Sequence, residues 1–473
     1  MWFAIVAGTL GACATPPERV HLTAVVPDGF RHAAVVPDAT TVPPDGAWWR
    51  AFGDSVLDGL IEQAERNNTT IHAAAARLAQ ARAALRGLTA SRMPLLSTGF
   101  SSIRQEGPLT NAAGTQGPLQ VGSVNLSYEI DLFGRLENAG KAAVQDITER
   151  EALLRGARLL VAADLAQTYF HLRAVEAERE IVAAVAASQS DTVQVSEGLL
   201  RAGLIAVPDA QARRAEALAT AGEVDLLDRR RAELEHAIAI LAGAPASSFS
   251  VPPSRANAAL PRPAPGVPGI MLVRRPDVAA ARQALLAAQS RVGLAQDAWL
   301  PVISLTGLTA LVSPNPAGLA SFSAVALAAG LTTTVSLLDG GRRAAQVAQA
   351  DSALQAAEAQ YAERVLAAIK DVEDQLVALR QLAAQAATSQ ATTEAAVRTA
   401  ALVEANRRSG LASALDSHDF RRRALRSRQQ EIQVRGARLQ ATVGLIKALG
   451  GGWEMDGARP LANRATTGPN SSL

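Results

Sequence analysis

The hydrophobic pattern of the chain changes period along its length, and the same change occurs twice. Between Ser123 and Leu132, apolar Val124, Leu126, Tyr128, Ile130 and Leu132 alternate with polar Ser123, Asn125, Ser127, Glu129 and Asp131, the period of two expected of a strand with one apolar face. A second stretch carries Val325, Leu327, Ala329, Leu331, Val335 and Leu337 on one parity, with Ala326, Gly330, Thr332, Thr334 and Ser336 on the other. Weaker alternation over Leu95 to Arg104 and Val302 to Leu311 precedes each, and Gly/Pro/Asn-rich loops near residues 107–118 and 313–318 join the members of each pair. The pattern predicts four strands, at about 95–105, 119–133, 302–312 and 322–338.

After Gly134 and again after Gly341 the strand period gives way to proline-free runs of about 60 residues rich in Ala, Leu, Gln, Arg and Glu. At 1.5 Å per residue such a run makes roughly 90 Å of helix, longer than any bilayer is thick. Leu153, Leu160, Leu165 and Leu172 recur at helical spacing with small alanines between, as in closely packed coiled-coil-like helices. Each run ends in a glycine turn, Arg201-Ala202-Gly203-Leu204 and Arg408-Ser409-Gly410-Leu411, followed by a return helix. The helices are expected at 134–200, 206–243, 341–407 and 413–449, with the turns as distal tips.

These two halves are copies at one constant offset. Pro94 and Pro301, Ser97 and Ser304, Gly134-Arg135 and Gly341-Arg342, Asp164 and Asp371, Arg173 and Arg380, and Gly243 and Gly450 are each 207 positions apart, as are Arg201, Leu204 and Asp209 from Arg408, Leu411 and Asp416. An ungapped internal repeat implies two copies of one structural unit. The organisation read from it is a first repeat at 48–246, a linker at 247–272, a second repeat at 273–453 and a flexible tail at 454–473.

Strands of about ten residues suffice to cross an outer membrane, and their alternation suits lipid on one face and water on the other. Four strands cannot close a barrel, and unpaired edge groups in hydrocarbon cost several kcal/mol each, so other chains must complete the sheet; three copies supply twelve strands. No segment offers about 20 uninterrupted apolar residues, so no transmembrane helix is expected.

Composition adds exclusions. Lys and Arg number 46 against 44 Asp and Glu, which gives no reason to expect a nucleic-acid partner. Six scattered histidines make no metal or triad spacing, and no catalytic residue, metal site or cofactor is expected. The run from Gly134 to Lys141 superficially resembles a phosphate loop, but its spacing is one residue too long and Ala142 stands where Ser or Thr is needed. The single cysteine, Cys13, follows a short apolar run ending Leu10-Gly11-Ala12. That ending resembles the lipobox of bacterial lipoproteins, which implies a signal peptide at 1–12, an acylated Cys13 as the first mature residue and an extended linker at 13–47.

Several short motifs occur in a set order: Trp48-Trp49-Arg50 with Phe52 and Asp54, Asp131-Leu132-Phe133-Gly134-Arg135, Arg274-Arg275-Pro276-Asp277-Val278, Leu338-Asp339-Gly340-Gly341-Arg342 and Ala448-Leu449-Gly450-Gly451-Gly452-Trp453. Together they resemble the TolC-like outer-membrane efflux family, in its NodT-type lipoprotein branch. The resemblance covers Trp48 to Trp453. It implies an α+β membrane protein: a homotrimer with a twelve-stranded barrel in the outer membrane of a Gram-negative bacterium, four strands per chain, continued by a periplasmic α-helical coiled-coil barrel. It further implies a periplasmic adaptor and an inner-membrane resistance-nodulation-division pump as partners. By the same resemblance, Asp416 and Asp419, with Asp209 as the first-copy equivalent, line the pore constriction, where a ring of like charges favours cations. Asp209 is expected to pair with a basic residue there. Gly203 and Gly410, with Arg201 and Arg408, mark the adaptor-docking tips. The family's gate arginine is replaced by Ala412, which leaves Arg407, Arg408 and Arg421-Arg422-Arg423 as candidates for inter-protomer salt bridges. Other readings are a type I protein-secretion channel and a periplasmic coiled-coil adaptor or structural lipoprotein; the strands argue against the latter.

Overall fold

In the computed structural model, which describes residues 27–32, 46–105, 117–254, 258–263, 267–313, 317, 319 and 325–451, the alternating segments are strands and the alanine-rich runs are helices. In chain order they are α1 (Ser55–Asn67), α2 (Thr69–Ala90), β1 (Leu95–Gln105), β2 (Gly117–Ile130), α3 (Arg135–Arg201), α4 (Val207–Leu241), α5 (Pro268–Arg274), α6 (Pro276–Asp297), β3 (Val302–Ser313), β4 (Val325–Thr334), α7 (Arg342–Arg408) and α8 (Ala414–Ala448). The bounds of α3 and α7, α4 and α8, and α2 and α6 repeat at the offset of 207 seen in the sequence. The glycines with positive φ that end these helices or precede them repeat likewise: Gly134 with Gly341, Gly203 with Gly410, and Gly243 with Gly450. The chain gathers into two compact units, each drawing segments from both copies.

The first unit, with residues 75–153 and 280–364, holds all four strands in one antiparallel sheet ordered β1-β2-β3-β4. Leu95 faces Ser127, Ser127 faces Thr306, and Val302 faces Thr334. Crossing the sheet from Leu95 therefore leads to Thr306, four positions beyond Val302, the repeat equivalent of Leu95. β1 and β4 are the two edges. Leu96, Phe100, Leu327 and Leu331 on these edge strands are exposed in the single chain. β4 ends at Thr334, short of the 338 expected, because Thr334 faces Val302, where its partner β3 begins after Pro301; Asp339 then caps the helix that follows. Its carboxylate accepts from Gly341 N at 3.1 Å and Arg343 N at 3.1 Å. Asp131 serves α3 in the same way, accepting from Leu136 N and Glu137 N. The phosphate-loop look-alike is this junction, with Lys141 paired to Glu137 at 2.8 Å.

The second unit, with residues 25–74, 154–279 and 365–473, holds the principal hydrophobic core. Trp48, Trp49, Phe52, Leu57 and Ile61 pack on Leu165, Tyr169, Phe170 and Leu172 of α3, Ile238 of α4 and Val443 of α8. Phe52 and Phe170 lie 4.9 Å apart, centroid to centroid. The Trp-Trp-Arg motif is thus a core motif, and Asp54 caps α1 from within it, accepting from Val56 N and Leu57 N. Of the expected leucine stripe on α3, Leu165 and Leu172 are buried, whereas Leu153 and Leu160 remain exposed in the single chain. Arg275, in the opener of the second repeat, is buried and joins Asp277 at 2.7 Å, Asp371 at 3.0 Å and the Ala448 carbonyl at 3.0 Å. Its first-copy equivalent Asn68 makes the corresponding bond to the Leu241 carbonyl at 2.8 Å.

Among the described residues no helix is long and apolar enough to cross a membrane. Cys13, the signal peptide, nearly all of the linker at 13–47, most of the inter-strand loops and the tail with Gly452-Trp453 lie outside the described residues.

Candidate functional site

The expected tip residues all sit where a long helix turns into its return helix. After α3, Gly203 N donates to Leu200 O at 3.0 Å and Leu204 N to Leu199 O at 2.9 Å. After α7, Gly410 N donates to Arg407 O at 3.1 Å and Leu411 N to Asn406 O at 2.8 Å. These paired bonds close the last carbonyls of a helix around a left-handed residue, and Gly203 (φ 70°) and Gly410 (φ 75°) fill that position. Leu204 and Leu411, next in line, project with 70% and 80% of their surface exposed. Arg201 and Arg408 are exposed beside them.

The carboxylates differ in their surroundings. Asp416 belongs to a reciprocal cap at the start of α8: its backbone N–H donates to Ser413 Oγ at 3.0 Å, and its carboxylate accepts from Ser413 N at 3.3 Å and Ser413 Oγ at 2.7 Å. It is exposed, with no cation paired to it among the described residues. Asp419, one turn on, is half-buried and has Arg422 Nη2 3.0 Å away. The contact is close enough for an ion pair, but its angle misses a hydrogen bond. Arg422 also reaches Glu216 on α4 at 3.6 Å. Asp209 holds the position in α4 equivalent to Asp416, yet the residue at the cap is Ala206, which has no hydroxyl to reciprocate. Among the described residues of one chain Asp209 has no ion pair, so none of them supplies the expected basic partner.

Four of the candidate latch arginines, Arg407, Arg408, Arg422 and Arg423, are engaged inside the protomer. Arg407 donates to both oxygens of Glu404 at 2.8 Å, Arg408 to the same carboxylate at 3.2 Å, and Ser417 Oγ reaches across the turn to it at 2.6 Å. The Arg407 hydrogen bond, with Ser417 and Arg408 adding to it, holds the Glu404 carboxyl well below the usual carboxylate range. Arg423 lies over the Phe420 ring, 5.1 Å from its centre. Glu404 and Ser413 were not singled out from sequence. The Ser413-x-x-Asp416 spacing before a helix is the signal for the cap, whereas Glu404 becomes visible only once the turn brings Ser417 beside it.

A family model described as "Outer membrane efflux protein" matches residues 60–243 and 267–451. The chain belongs to the outer membrane efflux protein family. The two matched blocks fall on the two copies of the repeat. Among relatives of this family, outer membrane protein OprJ of Pseudomonas aeruginosa is 28% identical over 457 residues, 95% of each chain. The cation efflux system protein CusC of Escherichia coli O6:H1 is 27% identical over 445 residues, 91% of this chain and 96% of its own. The solved structure of the outer-membrane channel OprN aligns with a TM-score of 0.78 at 26% identity, over 90% of this chain and 97% of that one. The chain is accordingly an outer-membrane efflux channel with the α+β fold of that family, and these relatives are channels rather than enzymes.

Proposed function

We propose that three copies of the chain form one passive, lipid-anchored duct, gated at its periplasmic tips, through which small solutes driven by an inner-membrane pump leave the cell. The observation that carries this reading is the sheet. Its four strands end in two open edges, β1 and β4, whose backbone groups must be paired before the sheet can stand in hydrocarbon. An efflux channel that cannot close its own wall requires copies of itself.

The tips support the rest. Two glycine turns at equivalent positions present exposed Leu204 and Leu411 flanked by Arg201 and Arg408, a suitable docking surface for the helical hairpin of a periplasmic adaptor. Asp416 and Asp419, with Asp209 beside them in the first copy, would ring the constriction when three chains meet. The gate proposed here relies on the Glu404 network and on Arg422 within each protomer, in place of the arginine that Ala412 replaces. Energy and cargo selection belong to the pump, and Cys13 is the proposed acylation site.

The test is to image detergent-extracted protein and to record it in planar bilayers. Three-fold rings on long projections, with discrete conducting steps, are expected. Isolated rods without rings or conductance would return the chain to the coiled-coil adaptor reading.

A further inference from the structure

We propose that β4 pairs with β1 of a second copy in one specific register, with Thr332 opposite Ser101 of that copy. The inference rests on the three-copy reading above and goes beyond it by assigning the seam residue by residue. It follows from the sheet's internal symmetry. The β1–β2 hairpin pairs Leu95 with Ser127, and the β3–β4 hairpin pairs Val302 with Thr334. Moving both partners of the first pair by 207 gives the second, so the two hairpins have one register. The β2–β3 pairing is the junction between copies of the repeat within a chain, and it is fixed over eleven rungs from Gln120–Ser313 to Ile130–Ile303.

A ring built from these hairpins presents the same junction again where β4 meets the next chain. Moving the β2 partner forward by 207 and the β3 partner back by 207 converts Asn125–Leu308 into Thr332–Ser101, Val124–Thr309 into Leu331–Ser102, and Ser123–Ala310 into Gly330–Ile103.

Two further observations agree with this register. It keeps the faces of the sheet intact. Leu331 lies on the face of Leu305 and Tyr128, and Ser102 on the face of Gln120, so the pairing joins like face to like face. A slip of one residue would mix them. It also fits side-chain size: Gly330 meets Ile103, Ala329 meets Arg104, and Thr334 meets Gly99. Between Val325–Thr334 and Leu95–Gln105 the seam holds fewer rungs than β2–β3. It is therefore the place where the barrel separates into chains.

The experiment is disulfide trapping in outer-membrane fractions. Ser101→Cys is held constant while a second cysteine is placed at Gly330, Thr332 or Thr334, with each single variant as the control for Cys13. Opposed residues bring Cβ atoms within disulfide reach, whereas diagonal neighbours stand about 7–8 Å apart. Oxidation is expected to give covalent trimers at Thr332, about fivefold or more above Gly330 and Thr334. The pair Leu331→Cys with Ser102→Cys, on the opposite face, should repeat the result. A maximum at Gly330 or Thr334 overturns the register while leaving the three-copy barrel standing. No disulfide at any position, in protein that an amine-reactive crosslinker still captures as trimers, overturns the β4–β1 seam. Absence of crosslinked trimers with the amine-reactive reagent in the unmodified chain overturns the three-copy reading itself.

Discussion

Tyr169 and Asp54 show how much one buried hydrogen bond organises in this protein. Tyr169 is fully buried, its hydroxyl donates to Asp54 Oδ2 at 2.7 Å, and the other Asp54 oxygen caps α1. Burial, reinforced by that bond, pushes the Tyr169 hydroxyl up to about 12 from its ordinary 10.0. Tyr169→Phe should therefore cost about 2 kcal/mol at neutral pH, a bond to a charged group with its acceptor left behind. Because the folded value is the raised one, the contribution of Tyr169 is complete below pH 10 and is lost as pH climbs toward 12. The gap between the thermal midpoints of wild type and Tyr169→Phe should narrow across that interval. A constant gap would mean that the hydroxyl is not linked to folding. Asp416 and Asp419 differ at the same scale. Arg422 partly neutralises Asp419, whereas Asp416 has no cation paired to it among the described residues. In planar bilayers Asp416→Asn should thus reduce cation preference more than Asp419→Asn, and the double variant most of all. An unchanged reversal potential in the double variant would remove both from the constriction. Replacing Asp416 by asparagine also alters the cap on α8, so helical content should be checked in parallel.

At the scale of elements, the constant offset in the sequence reappears in helix bounds, strand register and three pairs of left-handed glycines, because an ungapped repeat leaves no freedom for one copy to differ in length. Strands were legible from Val124 to Ile130, where one parity is apolar and the other polar. The end of β4 was not, since Val335 and Leu337 continue the alternation although the partner strand β3 has already run out at Val302, opposite Thr334. The α3 stripe is only half buried in the single chain. Leu153 and Leu160 have the helical spacing of buried residues, but periodicity does not say whether the partner surface lies in the same chain. The tip glycines were found from turn chemistry, whereas Glu404 was hidden because its partners Arg407 and Ser417 lie on both sides of the turn. Glycine turns of the same backbone conformation need not be equally tolerant. A Cβ on Gly203 would meet nothing within 4 Å, whereas one on Gly243 would overlap the Asn67 carbonyl. Gly203→Ala should cost about 1 kcal/mol for its left-handed backbone, and Gly243→Ala roughly 2–4 kcal/mol once the overlap is added. Equal losses in thermal midpoint would show that the Asn67 contact relaxes freely.

For the whole molecule, the family assignment and the open-edged sheet together make the single chain a fraction of a wall. Leu96, Phe100, Leu327 and Leu331 are exposed only as long as the chain is alone, and in a ring they would meet lipid or the next copy. The climb of four residues across each hairpin, seen where Leu95 leads through Ser127 to Thr306, then fixes a dimension that no single chain displays. Summed over six hairpins, it amounts to a shear of about 24 residues around twelve strands. With ordinary strand spacing and rise, the strands tilt by roughly 54° and the backbone stands about 16 Å from the axis. Had the stagger been two residues per hairpin, the next smaller value that keeps each face intact, the radius would shrink to about 11 Å and the bore would narrow accordingly. The width of the exit is thus written in the hydrogen-bond register of its wall.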